Sequence, residues 1–454
     1  MSCSADAGML MVVEFEDLIE RASASDMMEL ASDVGPMPLQ VGAILVFEPG
    51  VRLAASAVRD ALAVRMCGIP RLRQQLVSTP PGCGRPVWVD DPDFDVTRHV
   101  HDVRCPHPGD QEALLGVAAG VVTDPLPPGR PLWSVTLVTG LAGDADALIV
   151  VFHHVVADGM GGLAVLAKLV DGAGDQPARD FPRPKPSRRQ LASDATAARL
   201  HALGQLSGVP ARLRDAVAEL RPGATPPAPR CSLNRPVGPR LRFGVARADL
   251  AQVHSTGHSY GGTVNDVVLV AVGGALNSLL AHRGERVDGI VASVPVSGRT
   301  EATTAQLGNQ VGVIPVQVPT SGPPLDRLRR VAEVTRQHKT RTRGASAALL
   351  APAFRVLAML GVLRWLVERQ HLVTTFVTNL RGPDTPVSFL GSIVSEVIPL
   401  NVVSGNVAVA FAVLSYAGTL RVTVSVDVDA CPDSEVLVHA LHDELQVLTH
   451  RVGT

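Results

Sequence analysis

The chain is poor in aromatic residues, with 2 Tyr, 3 Trp and 10 Phe among 454 positions. Ala, Val, Leu and Gly fill it instead, so its cores must be largely aliphatic. It also lacks paired cysteines. Six stand at 3, 67, 83, 105, 231 and 431, with no Cys-x-x-Cys or similar spacing. That argues against a zinc site or a disulfide framework and fits a reducing cytosol. Neither charge sign dominates: the formal net charge is −2 and the basic residues are scattered, which leaves no electrostatic footprint for nucleic acid. No run of about 18 uncharged apolar residues appears, so no membrane-spanning helix is expected. Glu14, Glu16 and Asp17 follow the first short apolar run, unlike a secretory signal. Hydrophobic residues make up 46% and charged residues 19%, a balance that disfavours general disorder. The length is generous for one domain and comfortable for two.

One stretch carries chemistry. The apolar run from Ala147 to Phe152 ends in His153 and His154, and Asp158 and Gly159 follow before an apolar helical pattern. This places a titratable imidazole where a buried strand opens into a loop, a common setting for an active site. Histidine is the side chain whose unperturbed pKa suits proton transfer near neutrality. Neighbouring strand residues point to opposite faces, so only one of the two histidines can address a given cleft. The same geometry disfavours both rings reaching one metal ion, although two histidines and a carboxylate could suggest one. Asp158 can hold the loop or pair with an arginine, and Gly159 permits a tight turn. A strand-end histidine can also be purely structural.

The pattern of segments is α/β. Strand-like stretches at 41–48, 87–89, 132–138 and 148–153 alternate with helix-like stretches at 54–65, 111–122 and 162–170. A Pro- and Arg-rich stretch at 175–189 closes this half. The organisation expected is a first lobe over 1–180, a helical and Pro-rich crossover over 181–235, and a second lobe over 236–454. In the second lobe, strands are expected at 241–246, 289–296, 311–318 and 373–379, with helices at 264–282, 325–339 and 433–448. Strands at 407–415 and 419–426 flank Tyr416-Ala417-Gly418, a hairpin signal. The apolar segment 347–367 carries Arg355, Arg364 and Trp365, which suits either a buried amphipathic helix or one lying in a lipid interface.

Taken in order, these motifs resemble the bacterial wax ester synthase/diacylglycerol acyltransferase family. The likeness runs from about Ser25 to the end. It rests on the His153–Gly159 motif, Arg130-Pro131-Leu132-Trp133, Val264-Asn265-Asp266-Val267, Pro295–Arg299, Leu307–Gly312, Thr378–Pro383 and Leu414–Gly418. The resemblance implies two α/β lobes with mixed sheets, like chloramphenicol acetyltransferase and condensation domains, and an active-site tunnel at their interface. It implies that His154 is the base and that Asp158 is mainly structural, bonding an arginine for which Arg299 is a candidate. The implied reaction esterifies diacylglycerol to triacylglycerol from long-chain acyl-CoA, and fatty alcohols to wax esters. Acyl-CoA is then a substrate, and no cofactor or metal is implied. The implied location is cytoplasmic, at a membrane surface or lipid droplet. The chain departs from the family pattern at Gln40, where Pro-Met-His-Val-Gly is usual, and at Ser134, where Glu follows Pro-Leu-Trp.

A single base can serve such a reaction, because the proton removed from the alcohol is returned to the departing thiolate. A developing oxyanion needs a donor, and Asn265 at a helix start is the candidate; the same residue could equally cap that helix. Two other functions share parts of the pattern. One is a polyketide-associated or condensation-type acyltransferase using carrier-bound acyl groups. The other is a non-catalytic lipid-binding or droplet-coating protein.

Overall fold

The computed structural model describes residues 19–450, apart from 34, 51, 174–180, 205–226, 298–310, 340–356, 358–359 and 361. Two six-stranded mixed sheets dominate it. The first runs in the order β12 (Ser388–Phe389), β13 (Ser392–Leu400), β2 (Gln40–Phe47), β7 (Ala147–His153), β6 (Trp133–Thr139) and β5 (Val100–Arg104). The second runs β10 (Val311–Pro319), β9 (Gly289–Ser297), β11 (Thr375–Arg381), β14 (Val409–Tyr416), β15 (Thr419–Asp427) and β8 (Leu241–Asp249). β5 pairs parallel with β6, and β11 pairs parallel with β9 and β14; the other pairings are antiparallel. A small sheet of β1 (Glu20–Arg21), β4 (Val87–Asp90) and β3 (Gln74–Val77) flanks the first.

The central strands are apolar along their whole length because both faces are covered. Every residue of β7 and of β14 is buried. Gly42 on β2 has no room for a side chain: a Cβ there would sit 2.1 Å from the Val150 carbonyl oxygen of β7. The hairpin between β14 and β15 turns at Ala417 and Gly418, both with positive φ, as a two-residue connection requires.

Helices pack on both sheets. They are α1 (Ala24–Ser32), α2 (Ala55–Cys67), α3 (Gln111–Thr123), α4 (Gly159–Leu169), α5 (Arg188–Gly204), α6 (Leu250–Ser259), α7 (Val264–His282), α8 (Pro324–Lys339), α9 (Val362–Val367) and α10 (Ser434–His450). Among the described residues, only α7 is long and apolar enough to cross a membrane. It is instead a core helix, with 72% of its most apolar window buried inside the fold.

The halves of the sequence are interleaved. β12 and β13 come from beyond residue 385 yet complete the first sheet by pairing with β2. Tyr416 at the end of β14 is 1% exposed. Its hydroxyl donates to Val394 O at 2.7 Å and accepts from Val387 N at 2.9 Å, binding this excursion to the second sheet. Arg421 of β15 pairs with Glu396 of β13 at 2.6 Å. One apolar core accordingly combines Ile44, Ile149 and Val151 with Ile398, Phe243 and Ala410.

The main strands and helices match the pattern read from the sequence. α4 begins three residues earlier than expected, because Asp158 rather than a later residue caps it. α1, α6, β5, β12 and β13 were not anticipated. Of the segment 347–367, the structure describes only 357, 360 and 362–367.

Candidate active site

The histidine pair sits where β7 ends. Its backbone is gripped from both sides: the His153 N–H donates to Leu132 O at 3.0 Å, and the His154 N–H donates to Leu39 O at 2.8 Å. Leu132 precedes β6 and Leu39 precedes β2, so the two neighbouring strands of the sheet fix the strand end.

The two rings are held differently. His153 is 8% exposed. Its Nδ1 accepts from the Val155 backbone N–H at 3.1 Å, and its Nε2 donates to Asp33 Oδ2 at 3.0 Å. Both nitrogens are thereby engaged, and the backbone donor assigns the proton to Nε2. His154 lies one residue past the strand, with about a third of its side chain exposed. Its buried Nδ1 faces Glu29, 3.8 Å from Oε2. The carboxylates of Glu29 and Asp33 are four residues apart, one near the end of α1 and one just beyond it. They therefore come to one side of the helix and meet successive histidines. Sequence reasoning missed both. The available signal was Ser23 followed by Asp26, whose reciprocal hydrogen bonds at 2.9 and 2.8 Å start α1.

Asp158 is 1% exposed and accepts from the Gly161 N–H at 2.8 Å, capping α4. Arg299, its expected partner, lies outside the described residues. Gly159 is needed for closeness rather than for a turn: a Cβ there would lie 3.0 Å from Leu380 Cδ2. Leu380 belongs to β11, so the second sheet meets the first lobe directly beside the histidine loop.

Asn265 belongs to the second lobe. It is half-buried in the first turn of α7, within the second lobe. It does not cap that helix. Thr263 is the N-cap, and Asp266 in the first turn accepts from Thr263 N at 2.7 Å and Thr263 Oγ1 at 2.8 Å, and also from Thr335 Oγ1 at 2.7 Å. The structure sets His153, His154 and Asp158 on one strand-end loop of the first sheet, and Asn265 stands at the start of a second-lobe helix.

The departures from the family pattern are internally satisfied. Gln40, opposite His153 in the sheet, donates to Val122 O at 2.6 Å and Asp124 O at 2.9 Å, and accepts from Leu126 N at 3.1 Å. Ser134 is buried on β6, opposite Val151. Trp133 is structural: its indole donates to Leu72 O at 2.6 Å and stacks on His99 at 4.4 Å. Burial pushes the His99 imidazole below its usual pKa. The sequence Gly257-His258-Ser259-Tyr260-Gly261 matches the Gly-x-Ser-x-Gly form of a nucleophile elbow. Ser259 is instead the last residue of α6, and Gly261, with φ of 70°, follows the helix end, so no strand-to-helix elbow exists there. Among the described residues no group of three His, Cys, Asp or Glu side chains is placed to hold a metal ion.

Two interleaved α/β lobes with a histidine pair at a strand end fit the two-lobed acyltransferase class that the sequence resembles. Family comparison makes the assignment specific. Residues 22–268 match the wax ester synthase/diacylglycerol acyltransferase catalytic domain, and residues 307–449 match the WS/DGAT C-terminal domain. The Mycobacterium tuberculosis (strain H37Rv) protein named "Probable diacyglycerol O-acyltransferase tgs1" is 31% identical over 430 residues, covering 89% of this chain and 90% of that protein. The fold is shared with the wax ester synthase/diacylglycerol acyltransferase of Marinobacter aquaeolei VT8. That match has a TM-score of 0.68 at 22% identity and covers 96% of this chain and 100% of that one. The starter condensation domain of rhizomide synthetase, solved with C8-CoA and Leu-SNAC, has the same fold. Its TM-score is 0.62 at 16% identity, with 95% and 94% coverage. The chain belongs to the wax ester synthase/diacylglycerol acyltransferase family and is an acyltransferase.

Proposed function

We propose that the protein transfers a long-chain acyl group from acyl-CoA to the free hydroxyl of diacylglycerol, and to fatty alcohols as alternative acceptors, with His154 as general base. The observation that carries this reading is the unequal treatment of the two rings. His153 has both nitrogens engaged, whereas His154 stands past the strand end with its side chain partly open. Its Nδ1 faces Glu29, and Nε2 is the nitrogen we assign to the acceptor hydroxyl. Nε2 removes the hydroxyl proton as the oxygen attacks the thioester carbonyl. The tetrahedral oxyanion collapses, the carbon–sulfur bond breaks, and the same proton passes to the CoA thiolate. Glu29 stabilises the imidazolium during the interval and helps to orient the ring. Asn265 is the proposed oxyanion donor, contributed by the second lobe. Asp158 acts on the loop by capping α4 and takes no part in proton transfer. No cofactor enters the scheme.

Support for the donor and acceptor comes from the tgs1 relative's name and from the condensation domain solved with C8-CoA. Because both substrates are lipids, the reading includes work in the cytoplasm at a membrane or lipid-droplet surface and an apolar tunnel to His154. The test is one incubation of purified protein with radiolabelled palmitoyl-CoA, diolein and hexadecanol, followed by thin-layer separation. Labelled triacylglycerol is expected, with wax ester as a second product. An acyl carrier protein as the only effective donor, or no ester from either acceptor, would refute the reading.

A further inference from the structure

Five of the twelve large hydrophobic side chains that are exposed among the described residues fall between 360 and 372. They are Leu360, Val362, Trp365, Leu366 and Leu372. Trp365 is 56% exposed, while the other two tryptophans, Trp88 and Trp133, are buried. α9 makes the arrangement directional. Leu363 is fully buried, and Val367 packs where a Cβ on Gly405 would sit. Val362, Trp365 and Leu366 occupy the outward face at helical spacing. A helix apolar on both its inner and its outer face is not a solvated surface helix.

The exposed charges on this segment have one sign. Arg364 and Arg369 are exposed, and Glu368 is half-buried in an ion pair with Arg364 at 2.7 Å. The Arg369 guanidinium lies over the Trp365 ring at 5.2 Å. The Ala228 N–H donates to His371 O at 2.9 Å, which brings the chain carrying exposed Arg230 alongside. No acidic side chain is exposed among the described residues from 360 to 372. Tryptophan with aliphatic side chains, rimmed by arginines whose stems can lie along apolar surface, is the composition of a protein face at a lipid headgroup layer. Across a narrow cleft, the inner side of α9 borders Ser32 and the segment from Gly35 to Leu39. That segment follows Asp33 and ends at the carbonyl that holds His154.

The geometry points to this face as the docking surface for an anionic lipid layer, placing the entrance for the water-insoluble acceptor beside the histidine loop. It rests on the proposed lipid substrate and names where the enzyme meets it. The experiment is flotation of the full chain with phosphatidylcholine vesicles and with mixed phosphatidylglycerol–phosphatidylcholine vesicles. The wild type partitions more strongly to the anionic vesicles. Trp365→Ser with Leu366→Ser lowers that partition by about ten-fold or more, the loss expected when side chains of this size no longer enter the lipid. Arg364→Gln with Arg369→Gln narrows the difference between the two vesicle types. Val447→Ser, an exposed valine on α10, leaves partition unchanged. Turnover on diacylglycerol in vesicles falls in the Trp365/Leu366 variant, while turnover on a short-chain, water-soluble alcohol holds.

Unchanged flotation of the Trp365/Leu366 variant would overturn the proposal. So would a concentration-dependent dimer that the same substitutions abolish, because the face would then belong to a second copy. Flotation as expected with no turnover on either acceptor would support the docking face while rejecting the catalytic reading.

Discussion

Replacing each motif histidine by alanine should produce opposite phenotypes. His153 holds a buried strand end. Its removal strips an acceptor from the Val155 N–H and a donor from Asp33, and leaves a void behind a fully buried stretch. A buried backbone N–H left unsatisfied costs about 1–3 kcal/mol, and the lost bond to a carboxylate adds to that. His153→Ala is therefore expected to destabilise the fold by about 2–4 kcal/mol. His154 is partly open, and its 3.8 Å approach to Glu29 is a long, partly exposed contact. His154→Ala should change stability by less than about 1 kcal/mol. In turnover the order reverses. Loss of a general base costs about 10²–10⁴-fold, equivalent to roughly 3–5 kcal/mol of barrier. The assay is urea denaturation for each variant beside steady-state turnover with palmitoyl-CoA, measured where both remain folded. A folded His154→Ala protein with near-normal turnover would refute the mechanism. Equal destabilisation by the two substitutions would refute the division of labour between the rings.

Two further outcomes test how the lobes are joined. Tyr416→Phe removes the hydroxyl that bridges Val387 N and Val394 O, so a loss of about 2–3 kcal/mol is expected in urea denaturation, and no loss would show that other contacts hold β13. Burial pushes the Asp171 carboxyl up, but the N–H groups of Gly391 and Leu390 and the side chains of Arg65 and Ser388 outweigh it and bring it down to about 2. A carboxyl held below its unfolded pKa contributes stability that is complete above about pH 5 and is lost as pH falls through 4 toward 2. After allowance for solvent screening at this partly exposed group, about 1–2 kcal/mol is at stake. Asp171→Asn should flatten the fall in denaturation midpoint over that range, and an unaltered slope would remove Asp171 from the account.

The legible parts of the fold were those with strong local signals. α7 was located to the residue because nineteen mostly apolar residues follow a Thr-x-x-Asp cap. β7 was marked by an unbroken apolar run, and the β14–β15 turn by Ala417-Gly418. α1 was missed because it is only nine residues long and mixes acidic residues with methionines. β13 was missed because Ser, Glu and Pro399 interrupt its apolar pattern, and because its partner β2 lies some 350 positions earlier in the chain. Glu29 and Asp33 carry no motif of their own, and they acquire meaning only beside the two rings.

The order of residues alone determined the histidine pair at the end of a buried strand, the aspartate and glycine that follow it, and membership of a family of acyltransferases, because these depend on neighbours within a few positions. Tertiary structure decided which ring is anchored and which is open, and that α1 supplies a carboxylate to each. It also decided that the second half of the chain lends strands to the first sheet, and that one tryptophan faces outward. Those outcomes depend on packing between segments far apart in sequence, where no local propensity records the partner.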